Sequence, residues 1–385
     1  MVASLNLILG YIKILNKEGG KMYKFAIIGC GRISHKIAEG LAGNKDKAVL
    51  VALSDIIADK MDSTEKTYNE KSSLNLSVNK YIDYKEMIQK ENIDVAIIST
   101  ESGYHEEIGL YCLENNINVI IEKPLAMSIE GAQRLVDKAK EKGLKLAASH
   151  QNRFNYPIQL LKKAIQENRM GKIFNGMARI LWTRDMNYYL QAPWRGTWNL
   201  DGGTLMNQCI HNIDLLNWMM DSEIDTVYAQ TANFVRDIEA EDYGVIVIRY
   251  KNGKIGTVEG SAVIYPKNLE ETLTITGEKG TVIVGGMAVN KINTWRVEGD
   301  NETDFLSIDC GDPNSVYGFG HKALYKDFIE ALEENREPLV SGVQGMNAVK
   351  IILAAYKSQL TGLPVKFDEF KEFSTQEMKN INLKV

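Results

Sequence analysis

The sequence predicts an α/β protein with a doubly wound parallel sheet near its beginning, followed by an α+β domain on a largely antiparallel sheet. Short apolar runs alternate with helical segments over about 125 residues after Met22, which is typical of βαβ units with right-handed crossovers. The pattern changes after about Gln151, and from Thr226 onward the apolar residues repeat with a period of two, which indicates antiparallel strands. At 385 residues the chain is also too long for one ordinary core.

The first domain, predicted over residues 22–148, alternates strand and helix without interruption. Its strands are apolar runs that end at glycine or polar residues, as expected when both faces of a parallel sheet are buried. Strands are expected at 24–29, 49–55, 94–100, 118–122 and 145–149, and helices at 33–42, 57–69, 81–90, 104–115 and 128–142.

The second domain, predicted over residues 149–385, is expected to bind the substrate and to form oligomers. An aromatic loop over 182–198 precedes its strands, and Gly253 and Gly277 mark two turns. Helices are expected at 157–168, 203–220, 319–335 and 343–360, and strands at 226–235, 243–250, 254–264, 270–276 and 281–284.

The overall charge argues against nucleic-acid and membrane partners. Lys and Arg total 45 against 50 Asp and Glu, a net charge of −5, and no polybasic stretch occurs. The four cysteines are scattered without metal-ligand or disulfide spacing. We therefore expect a cytoplasmic protein with no metal site and no disulfide framework.

Residues 1–21 carry a separate prediction. The apolar run 2–9 is too short to span a bilayer and lacks the flanking features of a signal peptide. Residues 18–21 read Glu-Gly-Gly-Lys, which a purine-rich, ribosome-binding-like stretch can encode just before Met22. We predict that residues 1–21 are a misassigned start or a disordered extension.

A glycine loop between the first strand and the first helix predicts a dinucleotide site of the Rossmann type. Gly29 permits the tight turn, Gly31 leaves room for a pyrophosphate, and the helix N-terminus faces its negative charge. Arg32 and Ile33 complete the loop. Ser34 stands at the third glycine position, where a small residue still allows close packing.

An acid at the end of the second strand supports the same prediction. Asp55 can accept hydrogen bonds from the adenosine ribose hydroxyls, and its charge would repel a 2′-phosphate. No arginine follows it closely, so NAD is favoured over NADP. The alternative is that Asp55 only caps the strand end.

A lysine follows the strand 118–122, in the segment Glu122-Lys123-Pro124. The carboxyl ends of strands are where open α/β sheets bind ligands. A lysine beside an apolar strand and a cationic nicotinamide should have a lowered pKa, as a general base near neutral pH requires. The alternative is a solvated surface lysine.

These motifs, with Thr100, His105 and the helix segment from Gly202, resemble the Gfo/Idh/MocA oxidoreductase family from Met22 onward. The resemblance implies NAD(P)-linked sugar or polyol chemistry and an open-faced sheet often used for oligomerisation. It implies that Lys123 lies near the nicotinamide, and that Thr100, His105 and Glu122 belong to the cofactor site. A homodimer or homotetramer is expected.

The helix segment contributes Asn207 and His211, which are four residues apart and so project from one helical face. A histidine in a helix is commonly structural, but His211 matches the catalytic histidine of the family. Many members carry Asp where this chain has Asn207, which argues against a simple Asp–His proton relay. Whether Lys123 or His211 is the base stays open.

Within the family, the chain is similar to UDP-N-acetylglucosaminuronate 3-dehydrogenases, because its segments at 149–155, 188–198 and 317–321 resemble theirs. Arg153 and Arg195 offer planar donors for a carboxylate or phosphate. Asn155 and Tyr189 join the expected substrate set, in which flat rings contact the sugar or uracil. These rings are Tyr188, Tyr189, Trp194 and Trp198, and the alternative is that they pack in the core.

Two other functions are open alternatives. A dehydrogenase for inositol or a simple hexose would share every motif without the nucleotide. A non-catalytic dinucleotide-sensing regulator would not need both Lys123 and His211, and the chain shows no DNA-binding element. A metal-dependent polyol dehydrogenase is not supported, because the chain lacks a ligand set.

Overall fold

The structure, a computed structural model, describes residues 21–311, 313 and 315–385. The predicted N-terminal extension, apart from Lys21, lies outside these described residues. The chain divides into two compact units. The first contains the described residues up to Leu125, Gln133–Ser149 and His321–Val343, and the second contains the described residues of Ala126–Ala132, His150–Gly320 and Gln344–Val385.

The first unit is built on a six-stranded parallel sheet in the order β3-β2-β1-β4-β5-β6. Its strands are β1 (Tyr23–Ile28), β2 (Ala48–Ser54), β3 (Asn79–Tyr81), β4 (Val95–Ile98), β5 (Asn118–Ile121) and β6 (Leu146–Ala148). β2 and β4 are buried at every position, which confirms the expected sheet with both faces covered.

The helices between these strands are α1 (Ser34–Ala42), α2 (Ala58–Ser72), α3 (Tyr84–Lys90), α4 (His105–Glu114) and α5 (Ile129–Lys142). The prediction of a helix over 81–90 is wrong at its start, because Asn79–Tyr81 pairs with β2 as an edge strand. Asp83 then caps α3, its side chain accepting a 2.8 Å hydrogen bond from the backbone N–H of Lys85.

The second unit is built on an eight-stranded sheet in the order β13-β12-β11-β7-β10-β9-β8-β14. Among its described pairs, β7 and β10 run parallel and the others antiparallel. The strands are β7 (Ile173–Leu181), β8 (Ile224–Ala232), β9 (Tyr243–Tyr250), β10 (Ile255–Ser261), β11 (Glu270–Gly277), β12 (Gly280–Gly285), β13 (Lys291–Val297) and β14 (Val365–Lys366). The predicted fold class is therefore confirmed.

The helices of the remaining chain are α6 (Tyr156–Gln166), α7 (Met186–Leu190), α8 (Ile210–Met220), α9 (Glu302–Leu306), α10 (His321–Glu333) and α11 (Gly342–Thr361). The helix predicted over 203–220 is present, but its residues Leu205–Cys209 form a π-helical turn directly before α8. Such turns add a residue to the helix and often occur at functional sites.

Glycines in the sheet let the π-helical turn and α8 lie against it. A Cβ atom at Gly176 in β7 would be 2.5 Å from Cδ1 of Leu216, and one at Gly260 in β10 would be 2.5 Å from Sγ of Cys209. The close approach places the helix that carries Asn207 and His211 on β7 and β10.

The opposite face of this sheet exposes apolar side chains, with Phe174, Met177, Val247 and Ile255 each at least 40% exposed.

In the described part of the chain no helix has both the length and the apolar composition needed to cross a bilayer.

Candidate active site

The turn after β1 accepts only glycine at its first position. Gly29 has a φ of +92°, and a Cβ atom there would lie 2.6 Å from the carbonyl carbon of Ser99 and 2.7 Å from the backbone nitrogen of Thr100. The Gly29 carbonyl also accepts a 2.7 Å hydrogen bond from the Ser99 hydroxyl. The loop is thus held tightly against the end of β4.

Gly31, two residues later, faces open space. A Cβ atom added there would meet no protein atom within 4 Å, so a ligand can approach this backbone closely. Ile33 begins α1 as its N-cap residue, and Arg32 is exposed. The free space beside a helix N-terminus fits a dinucleotide pyrophosphate.

Ser34, predicted as part of the cofactor site, is fully buried between two helices. Its hydroxyl donates a 2.7 Å hydrogen bond to the Gly31 carbonyl and lies 2.9 Å from the hydroxyl of Thr64 in α2. The structure therefore shows a packing role for its side chain. Burial raises the pKa of the neighbouring Cys30 to about 12, so this cysteine stays a neutral thiol.

Asp55 connects the glycine loop to the end of β2. Its Oδ2 accepts a 2.7 Å hydrogen bond from the backbone N–H of Cys30, and its Oδ1 accepts one of 2.8 Å from Ile57. Asp55 therefore does cap the strand end, yet each carboxylate oxygen can accept a further hydrogen bond from a ribose hydroxyl. Ile56 beside it is 80% exposed, an apolar surface that the sequence reasoning missed.

His105 supports the turn that carries Lys123. Its Nδ1 lies 2.7 Å from the carbonyl oxygen of Pro124, and its Nε2 lies 3.2 Å from that of Thr100. Burial lowers the pKa of His105 to about 4, so the ring is neutral and has a single N–H. We assign that proton to Nδ1, which makes the shorter contact.

Lys123 and Glu122 differ in exposure. Lys123 is partly exposed and joined to Pro124 by a cis peptide bond, whereas the Glu122 side chain is buried. Burial raises the pKa of Glu122, and its Oε1 lies 3.9 Å from Nε2 of the buried His321. Lys123 is thus the more accessible ionisable group of this segment.

In the second unit, Asn207 lies in the π-helical turn and is held from both sides. Its amide nitrogen donates to Oδ1 of Asp201, and its Oδ1 accepts a 3.1 Å hydrogen bond from Nε2 of Gln208. Asp201, only 2% exposed, also accepts a 2.6 Å hydrogen bond from the backbone N–H of Gly196. Position 207 therefore has no carboxylate of its own, but its side chain contacts the carboxylate of Asp201, six residues earlier.

His211, at the start of α8, contacts a second histidine. Its Nδ1 lies 3.4 Å from Nδ1 of the fully buried His150, and the two rings are perpendicular. The sequence reasoning missed His150 as a functional residue, because only the fold brings it to His211 from 61 positions away.

Arg153 is a correction to the predicted substrate set. It is 1% exposed, and its Nε and Nη2 donate hydrogen bonds of 2.7 and 2.6 Å to the carboxylate of Asp214. Nη2 also donates a 2.9 Å hydrogen bond to Oε1 of Gln344. The planar donors expected for a substrate anion bind a carboxylate of the protein itself.

Arg195 instead lies among accessible aromatic rings. Its guanidinium is 4.2 Å from the ring centroid of Tyr188 and 4.6 Å from that of Trp194, and its Nε is buried without an acceptor among the described residues. The Tyr188 hydroxyl accepts a 3.1 Å hydrogen bond from Gln208, which connects this cluster to Asn207.

The other predicted substrate residues are buried. Tyr189 is 7% exposed, and burial raises the pKa of its phenol. Asn155 is 6% exposed and donates a 2.7 Å hydrogen bond to the carbonyl of Ala288. The expectation that Trp198 offers a flat surface is wrong, because its ring is 1% exposed and packs edge-on against Tyr356.

The described residues contain no group of three or more His, Cys, Asp or Glu side chains that could hold a metal ion. The geometry instead combines a glycine loop that fits a dinucleotide with ionisable groups that can take part in proton transfer.

Comparisons with known proteins agree with this chemistry. Residues 23–150 match the model of an oxidoreductase family with an NAD-binding Rossmann fold, and residues 158–283 match the GFO/IDH/MocA C-terminal domain. The WlbA dehydrogenase from Bordetella pertussis, solved in complex with NADH and UDP-GlcNAcA, is 34% identical. The match covers 90% of this chain and 97% of that one, with a TM-score of 0.79.

Several curated relatives with lower identity are inositol dehydrogenases. Myo-inositol 2-dehydrogenase from Thermotoga maritima is 26% identical over 90% of this chain and 99% of its own length. The NAD(+)-dependent scyllo-inositol 2-dehydrogenase from Bacillus subtilis is 23% identical over 89% of this chain and 96% of its own length.

Proposed function

This chain belongs to the GFO/IDH/MocA oxidoreductase family, and from that premise we propose that it oxidises C3 of a UDP-N-acetylglucosaminuronate-like sugar. The family models and the relatives show an NAD-dependent oxidoreductase that acts on sugars or polyols. The observation that carries the finer proposal is the cluster of Arg195, Tyr188 and Trp194, connected through Gln208 to Asn207.

This cluster suits an anionic sugar nucleotide better than a neutral polyol. The partly exposed guanidinium of Arg195 can bind a carboxylate or a phosphate, and flat rings can contact a sugar or uracil. An inositol carries no charge for Arg195 to neutralise. The similarity to a dehydrogenase solved with UDP-GlcNAcA supports the same substrate class.

NAD, when bound, accepts the hydride that leaves the sugar carbon. The backbone at Gly31 would approach the pyrophosphate, and Asp55 would accept hydrogen bonds from the adenosine ribose. The exposed Ile56 offers an apolar surface for the adenine. A 2′-phosphate would be repelled by the Asp55 carboxylate, so NADP is disfavoured.

Lys123 and His211 are the candidates for proton transfer. Oxidation of a hydroxyl requires a group that takes its proton as the hydride leaves, and a side chain in this role contributes about 10²–10⁴-fold to the rate. We propose that both groups act on the sugar hydroxyl, one as the base and the other as a hydrogen-bonding partner.

We also propose a cytoplasmic homodimer or homotetramer. The sheet face that exposes Phe174, Met177, Val247 and Ile255 is an apolar surface suited to a second copy. The four cysteines are free thiols, three of them buried, as a reducing compartment would maintain them.

The test is an NADH-absorbance screen with NAD⁺ against UDP-GlcNAcA, UDP-GlcNAc, myo-inositol, scyllo-inositol and free glucose. We expect kcat/KM for UDP-GlcNAcA to exceed that for UDP-GlcNAc, which lacks the carboxylate, by at least tenfold. Turnover of an inositol alone would favour the second candidate, an inositol dehydrogenase, which the Thermotoga maritima relative supports. Tight NADH binding without turnover of any sugar would indicate a regulator.

A further inference from the structure

A second arginine, Arg184, lies at the aromatic cluster of Arg195, Tyr188 and Trp194. Its guanidinium is 5.3 Å from the ring centroid of Tyr188, and that of Arg195 is 4.2 Å from the same centroid. Both arginines are partly exposed. Two positive charges are therefore neighbours of one tyrosine ring, and sequence reasoning found only one of them.

The chain that follows β7 brings Arg184 to this cluster. The backbone N–H of Arg184 donates a 2.8 Å hydrogen bond to the carbonyl of Ala262, which continues the pairing with the chain after β10. Trp182 and Arg184 are two residues apart on one face, with the guanidinium 4.7 Å from a Trp182 ring centroid. Leu216 of α8 packs at Gly176, an even number of residues earlier. Arg184 therefore lies on the face of the sheet that carries α8.

Neither arginine is neutralised by a carboxylate in the part of the chain that the structure describes. No ion pair is found there for Arg184 or Arg195. The acceptors of Arg184 Nη1 are neutral, namely the carbonyl of Thr183 at 2.7 Å and Oδ1 of Asn268 at 3.5 Å. Other arginines of the same unit do pair with carboxylates: Arg153 with Asp214, Arg169 with Asp300, and Arg179 with Glu259.

The acids around the cluster have other partners or carry a proton. Asp185 caps α7, its Oδ1 accepting a 3.0 Å hydrogen bond from the backbone N–H of Tyr188. Asp201 accepts hydrogen bonds from Asn207 and from the backbone of Gly196. Glu271 is 5% exposed, and burial raises its pKa to about 8, so this carboxyl is mostly protonated at neutral pH.

The arrangement is costly without a ligand. Burial lowers the pKa of Arg184, yet the guanidinium stays charged because its ordinary pKa lies far above neutral pH. A partly desolvated cation without an anionic partner is unfavourable, and a second positive charge beside the same ring adds repulsion. A bound anion would relieve both costs.

We propose that Arg184 and Arg195 form one anion site whose ligand carries at least two negative charges, as the diphosphate of a sugar nucleotide does. Guanidinium groups bind phosphate and carboxylate oxygens with pairs of N–H donors. The rings of Tyr188 and Trp194 lie beside these donors and offer flat surfaces to the attached base or sugar. The inference rests on the proposed function, because it names the groups that hold the proposed sugar nucleotide.

The first test uses the wild-type protein and needs no turnover. Isothermal titration calorimetry compares uridine, UMP and UDP, which share the base and differ in charge. We expect UDP to bind at least about tenfold more tightly than uridine, and the difference to shrink as NaCl is added. Equal Kd values for the three ligands would overturn the proposal.

The second test measures the Kd for UDP in Arg184→Met and Arg195→Met, which keep an apolar stem beside the rings and lose the charge. We expect each variant to bind UDP at least about tenfold more weakly. Arg184→Lys keeps the charge without the planar fork and should show a smaller loss. Arg296→Met is the control, because this exposed arginine of the same unit pairs with Glu302, and it should bind UDP as the wild type does.

Urea unfolding distinguishes a binding role from a structural one. Arg184 pairs with no carboxylate among the described residues, so Arg184→Met should unfold at the wild-type urea midpoint or above it while its UDP affinity falls. Should Arg184→Met fail to fold, Arg184→Gln takes its place in the titration, because it keeps an N–H donor for the Thr183 carbonyl. Wild-type UDP affinity in the folded variant would overturn the role of Arg184.

Turnover of UDP-GlcNAcA separates this inference from the proposed function. Oxidation of UDP-GlcNAcA by the wild type, together with wild-type UDP affinity in both methionine variants, would overturn the anion site alone. Arginine-dependent binding of UDP without oxidation of UDP-GlcNAcA would overturn the proposed function alone. Where both hold, Arg184→Met should raise KM and change kcat by less than about threefold. An equal rise in KM for UDP-GlcNAc and UDP-GlcNAcA would assign Arg184 to the diphosphate, and a larger rise for UDP-GlcNAcA would assign it to the sugar carboxylate.

Discussion

The glycine loop allows a prediction that separates folding from cofactor binding. In Gly31→Ala the new methyl group meets no protein atom within 4 Å, and the backbone is outside the left-handed region. The free energy of unfolding should therefore stay unchanged or rise by up to about 1 kcal/mol. The methyl group fills the space that the pyrophosphate would enter, so we expect the Kd for NADH to rise at least tenfold, about 1.4 kcal/mol.

Gly29→Ala should behave in the opposite way. Its left-handed φ of +92° costs about 1–2 kcal/mol for a residue with a Cβ atom. The Cβ atom would also lie 2.6 Å from the backbone of Ser99, so β1 or β4 must shift, at a cost of about 1–3 kcal/mol for overpacking. Together these terms predict a loss of about 2–5 kcal/mol in unfolding free energy.

Gly143→Ala is the matched control for the backbone term. Gly143 also has a positive φ, +65°, but a Cβ atom there meets nothing within 4 Å. Urea unfolding and fluorescence titration with NADH measure all three variants. Wild-type NADH affinity in Gly31→Ala would refute the placement of the pyrophosphate, and a Gly29→Ala protein as stable as Gly143→Ala would refute the clash.

Three further predictions concern ionisable groups. Lys123→Met should lower single-turnover hydride transfer by about 10²–10⁴-fold while the Kd for NADH changes by less than about threefold; a wild-type rate would exclude Lys123 from proton transfer. Arg153→Met leaves the buried Asp214 carboxylate without its ion-pair partner, so urea unfolding should show a loss of about 3–5 kcal/mol, and adding Asp214→Leu should recover most of it. Burial raises the pKa of Glu241 from 4.5 to about 8, so the folded protein holds a proton that the unfolded chain releases in this range. Stability should therefore fall as pH rises from about 5 to 8, and less steeply in Glu241→Gln; identical slopes would contradict the raised pKa.

Prediction is most accurate for elements in which the local alternation of apolar and polar residues matches the burial of those residues in the fold. β9 was predicted over 243–250 and has those bounds, because alternating residues in it are buried against the core. β7 was missed, since its sequence places Asn175 and Gly176 in the middle of the strand. Position 176 has no room for a side chain because Leu216 lies against it, and only the packing of α8 brings Leu216 there.

The substrate residues show the same difference. Arg153 and Arg195 are the same residue type in similar aromatic and polar surroundings along the chain, and both were predicted to bind an anion. The fold buries one against Asp214 and leaves the other beside accessible rings. Burial and the choice of partner depend on residues tens of positions away, and no local pattern carries that information.

By itself, then, the sequence determined the βαβ alternation, the glycine turn with its acid at Asp55, and the family, because each depends on backbone conformation or spacing within a short segment. Only the tertiary structure shows that His150 contacts His211, that Asp201 accepts a hydrogen bond from Asn207, and that Arg153 forms a buried ion pair with Asp214. The physical reason is that each of these side chains depends on a partner outside its own local pattern, and only the packed fold brings the two together away from water.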